Sequence, residues 1–103
     1  MLFKDINNRL IRLTDERKRH IEVDHPEMSG QIAKIGDTLL NPDIIVKSNV
    51  DPEVNLYYKF YPVTPVSEKY LCVVVKMRID DIFIITAYFT NKVKRGEILW
   101  ERK

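Results

Sequence analysis

Sulfur ligands and membrane signals are both scarce in this chain. Cys72 is the single cysteine, which rules out a disulfide framework and a cysteine-based zinc site. It lies in the apolar run YLCVVV, where a buried, inert thiol is the expected state. No segment approaches the roughly 18 apolar residues of a membrane span, and the N-terminal MLFKDINNRL lacks the apolar stretch of a signal peptide, which points to a cytoplasmic protein that stays out of membranes. There is no internal repeat and no low-complexity tract. Formal net charge is only +2, so bulk charge selects no partner. The two histidines, His20 and His25, are five residues apart with no HExxH-like pattern and no third ligand at metal-site spacing, so neither a metal nor a cofactor is expected.

What the chain does contain is enough for one compact domain over residues 1–103, with 45% hydrophobic and 31% charged residues. The charges are unevenly placed. Arg9, Arg12, Arg17, Lys18 and Arg19 crowd one end, and Lys92, Lys94, Arg95, Arg102 and Lys103 the other. A fold that joins the two ends makes a basic surface suited to polyanions; the competing reading is two separate solvated faces.

The periodicity changes along the chain. RLIRL at 9–13 predicts a short strand or extended arm, and Thr14 reads as the N-cap of a helix from about Asp15 to Asp24. Pro26 stops or kinks that helix at His25 and equally opens a second one. Met28, Ile32, Ile35 and Leu39 form its apolar stripe, Gly36 weakens it and Pro42 ends it. From residue 43 onward the pattern is strand: DIIVKS, VNLYYKFY, YLCVVVKMR, IFIITAYF and EILWE, with Asp80-Asp81 as a tight turn. The expected fold class is therefore α+β, two N-terminal helices packed on one face of a four- or five-stranded antiparallel sheet.

Alternation puts Thr86 and Tyr88 on one face of a strand whose other face carries Phe83, Ile85, Ala87 and Phe89, predicted to be core against the second helix. Tyr57, Lys59 and Tyr61 share a face opposite Leu56, Tyr58 and Phe60, and Lys76 shares one with Arg78. Lysines, tyrosines and a hydroxyl on an open sheet suit a phosphate backbone with stacked bases, against the plainer reading of a solvated strand face.

The motif order RLTDERKRHI…HPEM, NPDIIV, YYKFY, YLCVVVK, ITAYFT and KRGEILW resembles a phage- and mobile-element-associated family of small proteins in the barnase–EndoU–colicin–RelE-like nuclease superfamily. The resemblance spans about Leu13 to Trp100 and resides in order and spacing. It implies a helical N-terminal half, a four-stranded antiparallel sheet and toxin-like, metal-independent RNA cleavage, or a role descended from it. By position it carries His20, His25, Thr86, Tyr88 and Lys76 into the site, with Asp24 standing where members often have a basic residue.

Metal-free RNA cleavage sets the ribose 2′-OH against its own 3′-phosphate, leaving a 2′,3′-cyclic phosphate. It needs a base, an acid and positive charge on the phosphorane. A histidine serves as base or acid because its ordinary pKa, about 6.5, lies near working pH. His20, in mid-helix, is favoured over His25 beside its proline. Tyr88 is a donor, stacker or acid, and Thr86 a phosphate ligand. Arg19, Lys59, Lys76, Lys92, Lys94 and Arg95 are the expected substrate-binding cations. Two rival classes stand beside this one: a non-catalytic module binding nucleic acid or a protein partner, and a nuclease held inactive by a cognate inhibitor protein.

Overall fold

The computed structural model describes all 103 residues. Its chain opens with a hairpin, not a helix. β1 (Leu2–Lys4) and β2 (Leu10–Arg12) pair antiparallel with Phe3 opposite Ile11. Asp5 builds the turn: its Oδ1 accepts from the backbone N–H of Asn7 and of Arg9 at 2.9 Å each, and Asn8 takes a left-handed φ of 64°. Short polar side chains that bond their own backbone favour such turns. α1 (Asp15–Asp24) follows, with Thr14 Oγ1 accepting from Arg17 N at 3.1 Å and two acids in the first turn.

Pro26 ends α1 as expected, but the second helix is not continuous from there. Pro26–Met28 forms one 3-10 turn, Gly30 takes a φ of 75°, and only then does α2 (Ile32–Leu40) begin. The apolar stripe survives the break, with Met28, Ile35 and Leu39 buried and Ile32 packed against them. Gly36 has a packing role. A Cβ there would lie 3.1 Å from the Phe3 ring, so the glycine lets α2 rest on β1. Neither helix is long and apolar enough to cross a membrane.

The remaining strands are β3 (Ile44–Lys47), β4 (Val54–Tyr61), β5 (Lys69–Met77), β6 (Ile82–Thr90) and β7 (Ile98–Glu101). Together with the hairpin they form one seven-stranded sheet, β1-β2-β6-β5-β4-β3-β7. β2 runs parallel to β6 through the single pair Arg12–Phe83, while every other neighbour is antiparallel. The expected four- or five-stranded antiparallel sheet with two helices at its N-terminal end is therefore corrected. The sheet has seven strands, is mixed, and curls into a half-barrel carrying two short helices. The physical reason is the N-terminal hairpin, which adds two strands and, by seating β2 beside β6, the parallel pair.

Two apolar layers result. On the helix-covered face Ile21, Met28, Ile35 and Leu39 meet Tyr57, Leu71, Val73, Val75, Ile84 and Ala87. On the outer face Val46, Val54, Leu56, Tyr58 and Cys72 form a smaller cluster, joined by Tyr70, Val74, Ile85, Tyr88 and Val93. The expected inward set Phe83, Ile85, Ala87 and Phe89 is corrected by a β-bulge. Val75 opposes Ile84 while Val74 opposes Thr86, so Ile85 is an extra residue and the side-chain parity changes there. Ile82 and Ile84 face the helices, Phe83 lies under Arg12, and Ile85 turns outward. Ala87 and Phe89, beyond the bulge, keep their inward positions, and Thr86 and Tyr88 lie on the outer face.

Candidate functional site

The outer face is organised in cross-strand rows. Leu56, Val74 and Thr86 are direct neighbours across β4, β5 and β6; one step along, so are Tyr58, Cys72 and Tyr88. Above them passes the connection from β6 to β7, residues 91–97. It is tied down at three points: Tyr58 Oη accepts from Lys94 N at 3.1 Å, Asn49 Nδ2 donates to Arg95 O at 3.0 Å, and Lys47 N donates to Glu97 O at 2.8 Å. Gly96 is required where this strap crosses β3, because a Cβ would collide with the Lys47 carbonyl and stand 2.6 Å from Val46 Cγ1.

Between strap and sheet lies a groove of about 490 Å³. Its floor is Val54, Leu56 and Val74; Thr86 and Tyr88 stand along one side; Ser48, Asn49 and Val50 close the far end; Lys94 and Arg95 overhang it. Both cations are exposed, and no carboxylate lies within ion-pair reach of either. Burial, with Cys72 adjacent, pushes the Tyr88 phenol above its ordinary range. At neutral pH it is a hydrogen-bond donor. Burial also raises the Cys72 thiol to about 11, outweighing the hydrogen bonds from Tyr58 and Tyr88, so it is no nucleophile.

His25 reaches this face from the far side of β6. Its ring centroid is 5.5 Å from that of Tyr88, tilted by 32°. The backbone is held on both sides: His25 N donates to Ile21 O at 2.8 Å, and its carbonyl accepts from Met28 N at 2.8 Å. Pro26 imposes the exit from α1, at φ −133° and ψ 79°, that turns the side chain toward β6. Glu27 Oε2 lies 3.9 Å from Nδ1, a neighbour for the protonated ring on the side away from Nε2.

The other sequence-predicted residues are placed elsewhere. His20 lies on the solvent face of α1, its Nε2 3.7 Å from Glu16, in a depression shared with Arg19 and Val23 and not with Thr86 or Tyr88. Lys59 is on the helix-covered face, where its Nζ sits 2.7 Å from Asp37 Oδ2. Burial raises the Asp37 carboxyl, but hydrogen bonds from Lys59, Tyr61 and Asn41 outweigh it and hold the group at about 2. Lys76 shares the outer face with Thr86, yet Asp51 at 2.6 Å and Glu53 at 3.3 Å neutralise it. Lys92 is exposed on the strap. Little in the sequence singles out the loop Ser48–Val50, and Glu27 stands out only as a carboxylate two residues from His25. For the loop, the available signal is an apolar Val50 beside Asn49 between two predicted strands.

The groove thus gathers the hydroxyls of Ser48, Thr86 and Tyr88 and two free cations over an apolar floor, with the His25 ring packed against Tyr88. Nowhere do three His, Cys, Asp or Glu side chains gather closely enough to hold a metal ion. Comparison with family models, curated proteins and solved structures finds no match for the chain.

Proposed function

We propose that the chain is an endoribonuclease that binds RNA along the outer-face groove and cleaves it through the ribose 2′-OH. The observation that carries this reading is the approach of His25 to Tyr88, at the end of a groove where Thr86 shares space with the unpaired Lys94 and Arg95. A phosphodiester over Thr86 meets two cations from above and a protonated phenol from the side. These are the groups that a developing phosphorane dianion requires. His25 has Nε2 free to take the 2′-OH proton or to hand one to the departing 5′-oxygen. The motif order that resembles the nuclease superfamily supports the same chemistry.

The test is end-labelled RNA incubated with the protein in chelator, with end-group analysis of the products. Cleavage should leave a 2′,3′-cyclic phosphate or the 3′-phosphate formed from it. One observation favours the binding-only alternative: Lys76, the cation on the sheet itself, is neutralised by Asp51 and Glu53. RNA bound with salt-sensitive affinity but left intact would establish that alternative. A co-purifying acidic protein that competes for Lys94 and Arg95 would identify an inhibitor partner.

A further inference from the structure

The far half of the groove takes no part in the cleavage chemistry. Leu56, Val74 and Thr86 stand on three adjacent strands, so Leu56 lies about 10 Å from Thr86, two strand spacings. That is the span of one nucleotide from its phosphate to the far edge of its base. The lining there is apolar: Val54, Leu56 and Val74 below, and Val50 beside them with 94% of its surface exposed. Val54 and Leu56 are already buried, at 5% and 6% exposure, so a flat aromatic ring laid here would cover chiefly Val74 and Val50, the apolar surface that the chain itself leaves open. Two polar side chains interrupt the lining, and one of them, Ser48, is engaged with its own loop, its Oγ accepting from Val50 N at 3.1 Å and Asp51 N at 3.3 Å. Asn49 donates Nδ2 to the Arg95 carbonyl at 3.0 Å, which fixes the sense of the amide and leaves Oδ1 without a donor from the protein.

Building on the RNA reading above, we infer that this half of the groove is a nucleobase pocket. It takes the base whose own 3′-phosphate sits at Thr86 and favours bases with an exocyclic amino group over uracil. Guanine, adenine and cytosine each bring an amino donor to Asn49 Oδ1. Uracil brings instead a single ring N–H whose two flanking carbonyl oxygens face the same acceptor and weaken the bond.

The experiment is a methyl NMR titration of the full chain with the four 3′-mononucleotides and, separately, with inorganic phosphate. Methyl resonances of Val54, Leu56 and Val74 should move with nucleotides and stay still with phosphate. The three amino-bearing nucleotides should bind about threefold or more tighter than 3′-UMP, the net worth of one hydrogen bond. Asn49→Ala should erase that preference. Because this change also loosens the strap, Val50→Ser provides an independent check: it should weaken all four nucleotides about twofold and leave phosphate unaffected. Equal affinity for all four, or silent methyls while Thr86 and Tyr88 respond, overturns the pocket alone. No response to any nucleotide overturns the RNA reading, and the pocket with it.

Discussion

On the helix-covered face the ionic groups are paired and saturated. Asp5, fully buried, accepts from two backbone N–H groups, from Arg9 Nε at 3.0 Å and from the Tyr57 hydroxyl at 2.6 Å. Lys59 and Tyr61 converge on Asp37, each at 2.7 Å. On the outer face, at the groove, Thr86 and Tyr88 line open space, Lys94 and Arg95 have no carboxylate partner, and His25 is one-third exposed. The residue types are much the same on both sides: tyrosines, basic side chains, hydroxyls. What separates them is satisfaction. A buried charge left without partners is costly, so the covered face must close its networks, whereas solvated groups are free to await a ligand.

The largest effect should come from opening the closed network. Asp5→Ala strips four donors of their acceptor and should cost about 3 kcal/mol in urea unfolding, as when one partner of a buried pair is removed. RNA affinity of the remaining folded protein should be unchanged. Next, His25→Ala should reduce cleavage by about 100-fold or more, the usual worth of acid–base help. His20→Ala should stay within about twofold, and the opposite ranking in single-turnover rates would move the chemistry to α1. Removing both groove cations, Lys94→Ala with Arg95→Ala, should weaken single-stranded RNA binding and lower the slope of log K against log salt by about 1.4, two phosphate contacts' worth. An unchanged slope would detach the strap from the substrate.

The smallest effect concerns pH. The Asp37 carboxyl titrates lower in the folded chain than in the unfolded one, so its stabilisation is full above about pH 4 and fades as pH falls toward about 2. Wild type and Asp37→Asn should therefore converge in urea midpoint across that window. A gap that stays constant with pH would mean that Asp37 acts through shape and not charge.

Much of the strand pattern was legible. Alternation in VNLYYKFY places β4 at Val54–Tyr61, and Thr14 announces α1. The hairpin was harder, since three residues in β1 are too few to show a period, although DINN is a turn signal. The parallel contact rests on one residue pair and leaves no local trace. In IFIIT, apolar residues stand on both sides of the bulge, so the run shows no parity to follow. For the histidines, a mid-helix position brings no approach to the strand residues Thr86 and Tyr88. α1 buries a single side chain, Ile21, and the Glu16–His20 face one turn back looks to solvent. The proline beside His25 sets the backbone exit from α1 where that ring packs against Tyr88 of β6.

The strap has a consequence for timing. The antiparallel run β3 to β6 zips through neighbouring hairpins, but β7 must travel back across the sheet to pair with β3. Contacts between distant parts of a chain are the slow ones to form. Gly96 can seat on Val46, and Lys94 on Tyr58, only once β3 and β4 are in register. The overhanging cations are thus a late product of folding, so the groove acquires its charge after the body of the sheet has closed.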